Sequence, residues 1–285
     1  MKKLLILSGK GGTGKTTTAA AFIRFSETKA FADCDVDAPN LHLVSEFENE
    51  PEIKNYTGSQ KAFIDNEKCV GCGLCADKCR FGAIKEENGI YKVNEFSCEG
   101  CGVCEYVCPS DAIRLKDDES GSLFLYKDEK VLSTAELKMG RGNSGKLVSE
   151  VKFSLFMNIP KESFVIIDGS LGIGCPVIAS ISGCDLVLIV AEPSVSGISD
   201  MKRIIKTARG FGAEVAVCVN KYDSSTENAE KIKEFCGINN INFTGFIPYD
   251  KVASKAINEG KSVADIDCPM RDALRKVYEN TMELM

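Results

Sequence analysis

Eight of the 14 cysteines fall in two runs of one spacing, Cys69-x2-Cys72-x2-Cys75-x3-Cys79 and Cys98-x2-Cys101-x2-Cys104-x3-Cys108. Each cysteine of the second run lies 29 residues after its counterpart. Thiolates at such gaps hold iron–sulfur clusters, and a duplicated run of four suits two [4Fe–4S] cubanes. Zinc sites usually join two separated C-x2–4-C pairs, so zinc fits this spacing far less well. A second stretch with chemistry is GKGGTGKT at residues 9–16, which matches G-x4-G-K-[ST]. In such a loop the backbone N–H groups of Gly11, Gly12, Thr13 and Gly14 cradle phosphates at a helix N-terminus, with Thr17 in the same turn. Lys15 reaches the β- and γ-phosphates, and the Thr16 hydroxyl binds Mg2+.

These groups need elements to place them. Residues 3–8 (KLLILS) predict a buried parallel strand entering the loop, residues 15–25 a helix leaving it, and residues 30–33 a second strand ending in acids. Further apolar strands are expected at 164–168, 186–191, 215–220 and 243–247, with helices near 198–209, 227–236 and 252–258 and another from Pro269. The alternation predicts an α/β fold, a doubly wound, mostly parallel sheet covered on both faces. Residues 57–115 break the rhythm. They are rich in cysteine and glycine, and the repeat extends to Gly71/Gly100, Gly73/Gly102, Ala83/Ala112 and Ile84/Ile113. We expect a small inserted α+β domain at 57–115 within a discontinuous domain of 1–56 and 116–285. Residues 117–122 (DDESGS) read as a polar exit linker, and 143–146 as a turn opening a helix.

The loop carries a second lysine, Lys10, and its pattern K-G-G-x-G-K-T-T resembles the deviant Walker A loop of the MinD/ParA/Mrp group of P-loop ATPases, which includes the nitrogenase iron protein. That resemblance implies an ATP-dependent homodimer in which two protomers sandwich two nucleotides and Lys10 crosses to the partner's nucleotide. The bland alternative is a solvated surface lysine. Residues 33–40 (DCDVDAPN) resemble the group's D-x-D-x-x-x-P stretch, which implies that Asp35, with Asp37 as its competitor, orients the attacking water. Such an acid needs placement rather than basicity. Alternatively these acids cap a helix near Leu41. FVIID at 164–168 followed by GSLG resembles a Walker B strand and switch loop, implying that Asp168 holds Mg2+ through water and Gly172 senses the γ-phosphate. Asn220-Lys221-Tyr222-Asp223 has the N-K-x-D form that reads guanine in GTPases. In the group resembled here the Asn contacts adenine, so Asn220, Lys221 and Pro248 of the following IPYD loop imply ATP.

The cysteine runs resemble the bacterial ferredoxin arrangement, in which the fourth cysteine ligates the other cluster. The resemblance implies one cluster on Cys69, Cys72, Cys75 and Cys108, and the other on Cys98, Cys101, Cys104 and Cys79. The C-P step is present at Cys108-Pro109 but replaced by Cys79-Arg80, whose charge could raise that cluster's potential. Of the other cysteines, Cys34, Cys184, Cys218, Cys236 and Cys268 read as small core residues. Cys175 lies seven residues after Asp168, where the nitrogenase iron protein has a cluster-bridging cysteine. The corresponding region GRGNSG at 140–145 has no second one, so a packing role in the switch loop is expected. His42 is expected on a surface near the Asp35 loop.

The 285 residues suffice for one large or two modest domains, and 44% hydrophobic with 27% charged residues is ordinary for a soluble protein. A net charge of −6 argues against nucleic acid as the main partner. No apolar run approaches the ~20 residues of a membrane span, and the apolar start is too short for a signal peptide. Cysteines spent in cluster spacing fit a reducing, cytoplasmic setting. Taken together, the motifs resemble MinD-superfamily ATPases with an inserted ferredoxin domain. The resemblance implies an ATPase whose nucleotide state gates electron delivery to a redox partner protein, with the insert moved by the Asp35 loop that precedes it. Two other readings are an iron–sulfur assembly scaffold or carrier, which the absent C-terminal C-x-x-C opposes, and a redox-sensing or positioning switch that binds ATP without useful turnover.

Overall fold

Short apolar runs alternating with amphipathic segments place β1 (Lys2–Ser8), α1 (Lys15–Ser26) and β2 (Ala30–Asp33) at the start of the chain. There follow β3 (Glu52–Thr57), β4 (Lys61–Ile64), α2 (Leu74–Lys78), β5 (Ile84–Glu87), β6 (Ile90–Val93), α3 (Val103–Tyr106) and β7 (Ile113–Lys116). A hairpin of β8 (Glu119–Lys127) and β9 (Val131–Leu137) leads to α4 (Ser144–Met157), β10 (Phe164–Leu171), α5 (Cys175–Ile181) and β11 (Leu186–Ala191). The chain ends with α6 (Val195–Gly210), β12 (Glu214–Asn220), α7 (Thr226–Ile238), β13 (Asn242–Ile247), α8 (Lys251–Asn258) and α9 (Pro269–Met282). This computed structural model describes residues 1–285. It divides into one unit of Met1–Ile53, Leu123–Glu136 and Ser144–Met285 and a second of Lys54–Ser122 and Leu137–Asn143. The second unit is therefore wider than residues 57–115 and takes in a stretch beyond the β8–β9 hairpin.

The large sheet has the order β13-β12-β11-β1-β10-β2-β9-β8-β3. Its pairs from β13 through to β9 are parallel. The three-residue β8–β9 connection is too short for a crossover, so that pair is antiparallel. Strands such as β11 are buried along their whole length, because helices cover both faces. The strand order reverses at β1, and such switch points open a crevice at the carboxyl ends of strands. Register brings Ile6 opposite Asp168 and Asp168 opposite Asp33, so the phosphate loop and both acidic strand ends share one edge. Behind it, α1 buries Phe22 fully, with the Tyr278 ring of α9 5.2 Å away edge-on. No helix is long and apolar enough to cross a membrane.

Residues 117–122 do not form a linker, because Glu119 onward is strand β8. Polar composition concealed it: the Ser120 hydroxyl is satisfied by the Asp118 carboxylate at 2.7 Å and its carbonyl by the Lys138 N–H at 2.8 Å. A polar residue whose groups are all paired costs little inside a sheet.

In the second unit the 29-residue repeat is also structural. The order β4-α2-β5 recurs as β6-α3-β7, yet β4 pairs with β7 and β5 with β6, both antiparallel. Asp65 N–H donates to Ala112 O at 2.8 Å, and Asn94 N–H to Ala83 O at 2.7 Å, each closing one half on the other. Ala62, Ile64, Ala83, Ile84 and Ile113 form its core together with Cys75 and Cys98.

Candidate functional site

The phosphate loop leaves β1 and re-enters helix at Lys15, with Gly12 and Gly14 at φ 75° and 92°. A Cβ on Gly14 would stand 2.2 Å from the Asn220 amide nitrogen, so only glycine permits this approach. Lys15 is buried, and its Nζ lies 2.7 Å from Asp168 Oδ1, 3.5 Å from Asp35 Oδ2 and 3.4 Å from Thr16 Oγ1. Burial opposes the Lys15 charge, but attraction by Asp168, Asp33 and Asp35 outweighs it and raises its pKa. Asp168 Oδ2 is buried and meets no donor. An unpaired carboxylate oxygen beside the phosphate loop suits a hard cation. Burial also raises the Asp35 carboxyl, with Lys15 pulling the other way.

Sequence reasoning passed over Asp33, although it ends a strand inside an acidic cluster. Its carboxylate is fully buried and accepts the Asp35 N–H at 3.0 Å and the Asn40 and Leu41 N–H groups at 2.9 Å each. Asp33 therefore does the capping near Leu41, whereas Asp37 is exposed. Burial, then the Asp168 charge, pushes the Asp33 carboxyl up to about 7. A carboxyl with a raised folded pKa holds its proton more tightly when folded, so its penalty is complete above about 7 and vanishes below the ordinary 3.8. Nucleotide-free protein is thus expected to gain stability from this group as pH falls from 8 to 5. Asp33→Asn should lose stability at pH 5, because one N–H goes unpaired, and show a flatter pH dependence. Thermal unfolding at the two pH values checks this, and parallel profiles would contradict it.

The residues expected at the base are engaged within the protein. Asn220 is buried; its amide donates to Thr13 O at 2.7 Å and its oxygen accepts the Lys221 N–H at 2.9 Å. It pins the phosphate loop, so the expected adenine contact would have to compete with these bonds. Lys221 Nζ donates to Gly12 O at 2.8 Å. Pro248, Tyr249, Gly12, Gly14, Thr17 and Asn258 are among the walls of a cavity of about 390 Å3, within the range of small-molecule sites. The Asp223 carboxylate accepts the Tyr249 N–H at 3.0 Å. Lys10 is not free in solvent: it pairs with Glu192 at 2.8 Å and donates to Ser194 Oγ at 3.3 Å. Gly172 adopts φ 86° just beyond β10.

In the second unit Cys79, Cys98, Cys101 and Cys104 all line one small cavity of about 20 Å3, with Ala62, Ala83, Gly100 and Gly102 among its other walls. The exchanged strand pairing thus carries Cys79 to the other run. Cys69, Cys79, Cys104 and Cys108 pack against the core that holds Cys75 and Cys98. N–H groups point at sulfur in matched places: Ala83 to Cys79 at 3.4 Å, and Ala112 to Cys108 at 3.3 Å. Ala62 N–H also reaches Cys98 Sγ at 3.5 Å. Burial works against the Cys108 thiolate, but N–H groups of Ala112 and Ser110 and the Ser110 hydroxyl hold its pKa below the usual value. No three His, Cys, Asp or Glu side chains are placed together so as to hold a metal ion. Arg80 is exposed.

Cys34, Cys184, Cys218, Cys236 and Cys268 are buried, and Cys175 is exposed. His42 is half-buried rather than on an open surface, stacked 6.4 Å from the Tyr126 ring. Burial lowers its pKa, against the Glu136 charge.

An uncharacterized protein of Methanocaldococcus jannaschii is 33% identical over 290 residues, covering 99% of this chain and 97% of that one. The pyruvate synthase subunit PorD of the same organism is 50% identical over 46 residues, 15% of this chain and 54% of that protein. Among solved structures, the septum site-determining protein MinD of Pyrococcus horikoshii OT3, complexed with Mg-ADP, superposes with a TM-score of 0.59 at 19% identity, covering 99% of this chain and 96% of that one. That likeness is one of fold. Residues 4–263 match the CobQ/CobB/MinD/ParA nucleotide-binding domain, and the chain belongs to this family.

Proposed function

We propose that this protein is an ATP-hydrolysing switch in which the nucleotide state of a homodimer gates electron transfer through two [4Fe–4S] clusters to a redox partner protein. One observation carries the reading: a single chain holds a phosphate-loop lysine set between two acidic switch residues and a cavity ringed by four cysteines from both halves of a repeat. Bound clusters would supply one-electron carriers on Cys69, Cys72, Cys75 and Cys108 and on Cys98, Cys101, Cys104 and Cys79. The chain's own residues do the rest. Asp168 and Thr16 would hold Mg2+. Lys15, now neutralising carboxylates, would exchange them for the β- and γ-phosphates and leave Asp35 to orient the attacking water. Asp33 keeps the Asp35 backbone in place for that task. The Asp223 carboxylate already serves the Tyr249 N–H, which supports adenine over guanine. The Mg-ADP bound by the MinD that shares this fold agrees with it. Lys10 would leave Glu192 for the nucleotide of a second protomer.

The test uses an acceptor redox protein captured anaerobically on ATP-bound Asp35→Ala holoprotein. Oxidation of reduced wild-type holoprotein by that acceptor is expected to change at least about tenfold with MgATP, the scale of a typical coupling. Lys15→Ala should remove the change. A rate indifferent to both ATP and Lys15→Ala overturns the reading.

A further inference from the structure

Residues 137–143 belong to the unit of the cysteine runs, and Ser144 begins α4 of the nucleotide-binding unit. The first stretch is firmly held within its own unit. Arg141 is 14% exposed, and its guanidinium bonds Glu95 at 3.0 Å and Asp118 at 3.1 Å while lying 5.3 Å from the Phe96 ring centre. A Cβ on Gly140 would come within 2.8 Å of the same ring. The Asn143 amide bonds the Ser59 hydroxyl, and its carbonyl accepts the Tyr56 hydroxyl at 3.3 Å. Glu95 and Phe96 are the residues just ahead of Ser97 and Cys98, in a turn whose N–H groups at Phe96 and Ser97 bond the Asn94 side chain.

The other side of the junction is held just as firmly within the nucleotide-binding unit. A Cβ on Gly145 would stand 3.1 Å from that of Cys175, so α4 starts directly against the residue that opens α5 after the switch loop. Further along α4, buried Lys152 donates to the carbonyls of Ala179 at 3.0 Å and of Ser180 and Ser182 at 2.7 Å each. These carbonyls lie at the α5 C-terminus, where intrahelical donors run out and a cation is also favoured by the helix dipole. Ser180 Oγ in turn accepts the Ser170 N–H, two residues beyond Asp168, at 3.4 Å. Helices α4 and α5 are thus joined near both ends of α5 and tied to β10.

We propose that Lys152 and Arg141 are positioning residues that couple the nucleotide switch to the second cysteine run. Movement of residues 168–174 passes through α5 to α4, along the covalent run 141–145, and through the Arg141 clamp to the turn before Cys98. This places the transmission after the Walker B strand and not at the Asp35 loop. It rests on the reading that the chain binds Mg-nucleotide, and it does not depend on electron transfer.

Hydrogen exchange of the full chain, with and without a non-hydrolysable Mg-ATP analogue, tests it. In the wild type the analogue should protect residues 9–17 and change exchange at residues 94–98 by about fivefold or more. Arg141→Gln should keep the first effect and lose the second, as should Lys152→Met. A merely structural Arg141 would instead alter exchange at 94–98 equally in both states. If either variant fails to fold, Glu95→Gln removes the clamp's ion pair to the turn before Cys98 from an exposed carboxylate, leaving Asp118 on Arg141. Coupling is overturned by a nucleotide effect at 94–98 that survives Arg141→Gln or Glu95→Gln, or by wild-type protection at 9–17 without change at 94–98. Absence of protection at 9–17 overturns the nucleotide reading and the coupling with it.

Discussion

Lys15→Ala is expected to lower ATP turnover by about 10^3-fold and to destabilise the nucleotide-free protein. The first effect follows from losing a preorganised cation where charge develops on the transferring phosphoryl group. The second comes from the resting geometry. Lys15 is the cation at 2.7 Å from Asp168 and 3.5 Å from Asp35, and the attraction of Asp33 also supports its charge. Asp168 and Asp33 are fully buried. Removing one partner of a buried ionic group costs about 3–5 kcal/mol, because the remaining charges are left unpaired in a poorly polarisable interior. The loss should shrink as the pH falls from 8 to 5, since Asp33, already raised to about 7, then takes up its proton. Urea unfolding of the nucleotide-free variant at both pH values, beside a phosphate-release assay, measures the two effects. Unchanged stability at pH 8 would mean that the acids are not charged together around Lys15.

On the proposed assignment of two clusters, Cys79→Ala is expected to halve the iron of anaerobically reconstituted protein, from about eight to about four per chain. The spectrum of what remains should match that of Cys101→Ala and differ from that of Cys72→Ala. By sequence Cys79 closes the first run, but in space it lines the cavity of Cys98, Cys101 and Cys104. The cause is the pairing of β4 with β7 and β5 with β6, which exchanges the ends of the two halves. Iron analysis and electron paramagnetic resonance of the three variants decide the matter. A Cys79→Ala spectrum that matches Cys72→Ala would return Cys79 to its own run and exclude the exchanged arrangement.

Much of this protein was legible before its fold. Strands Ala30–Asp33 and Leu186–Ala191 begin and end where their apolar runs do, because a strand buried on both faces needs an uninterrupted run. The phosphate loop was legible for a similar reason: its glycines, Lys15 and Thr16 are consecutive, and local backbone geometry alone demands them. Strand β8 was missed because its polar start is satisfied by Asp118 and by Lys138, a partner eighteen residues away from Ser120. Asn220 looked like a base contact because its motif is local. In the nucleotide-free structure its amide bonds Thr13, 207 residues distant, and only the order of strands makes those two residues neighbours.

By itself the amino-acid order determined the chemistry available: a phosphate-binding loop, acids at strand ends, and two equally spaced cysteine runs. These signals survive in one dimension because their parts lie within one turn or one strand of each other. Tertiary structure alone decided how the parts are shared. It set Asp33 beneath Asp35 as a buried cap and laid Lys152 across the end of α5. Each of those contacts is a competition among buried polar groups for one partner. The winner is set by strand order and helix packing, to which residue spacing along the chain is blind.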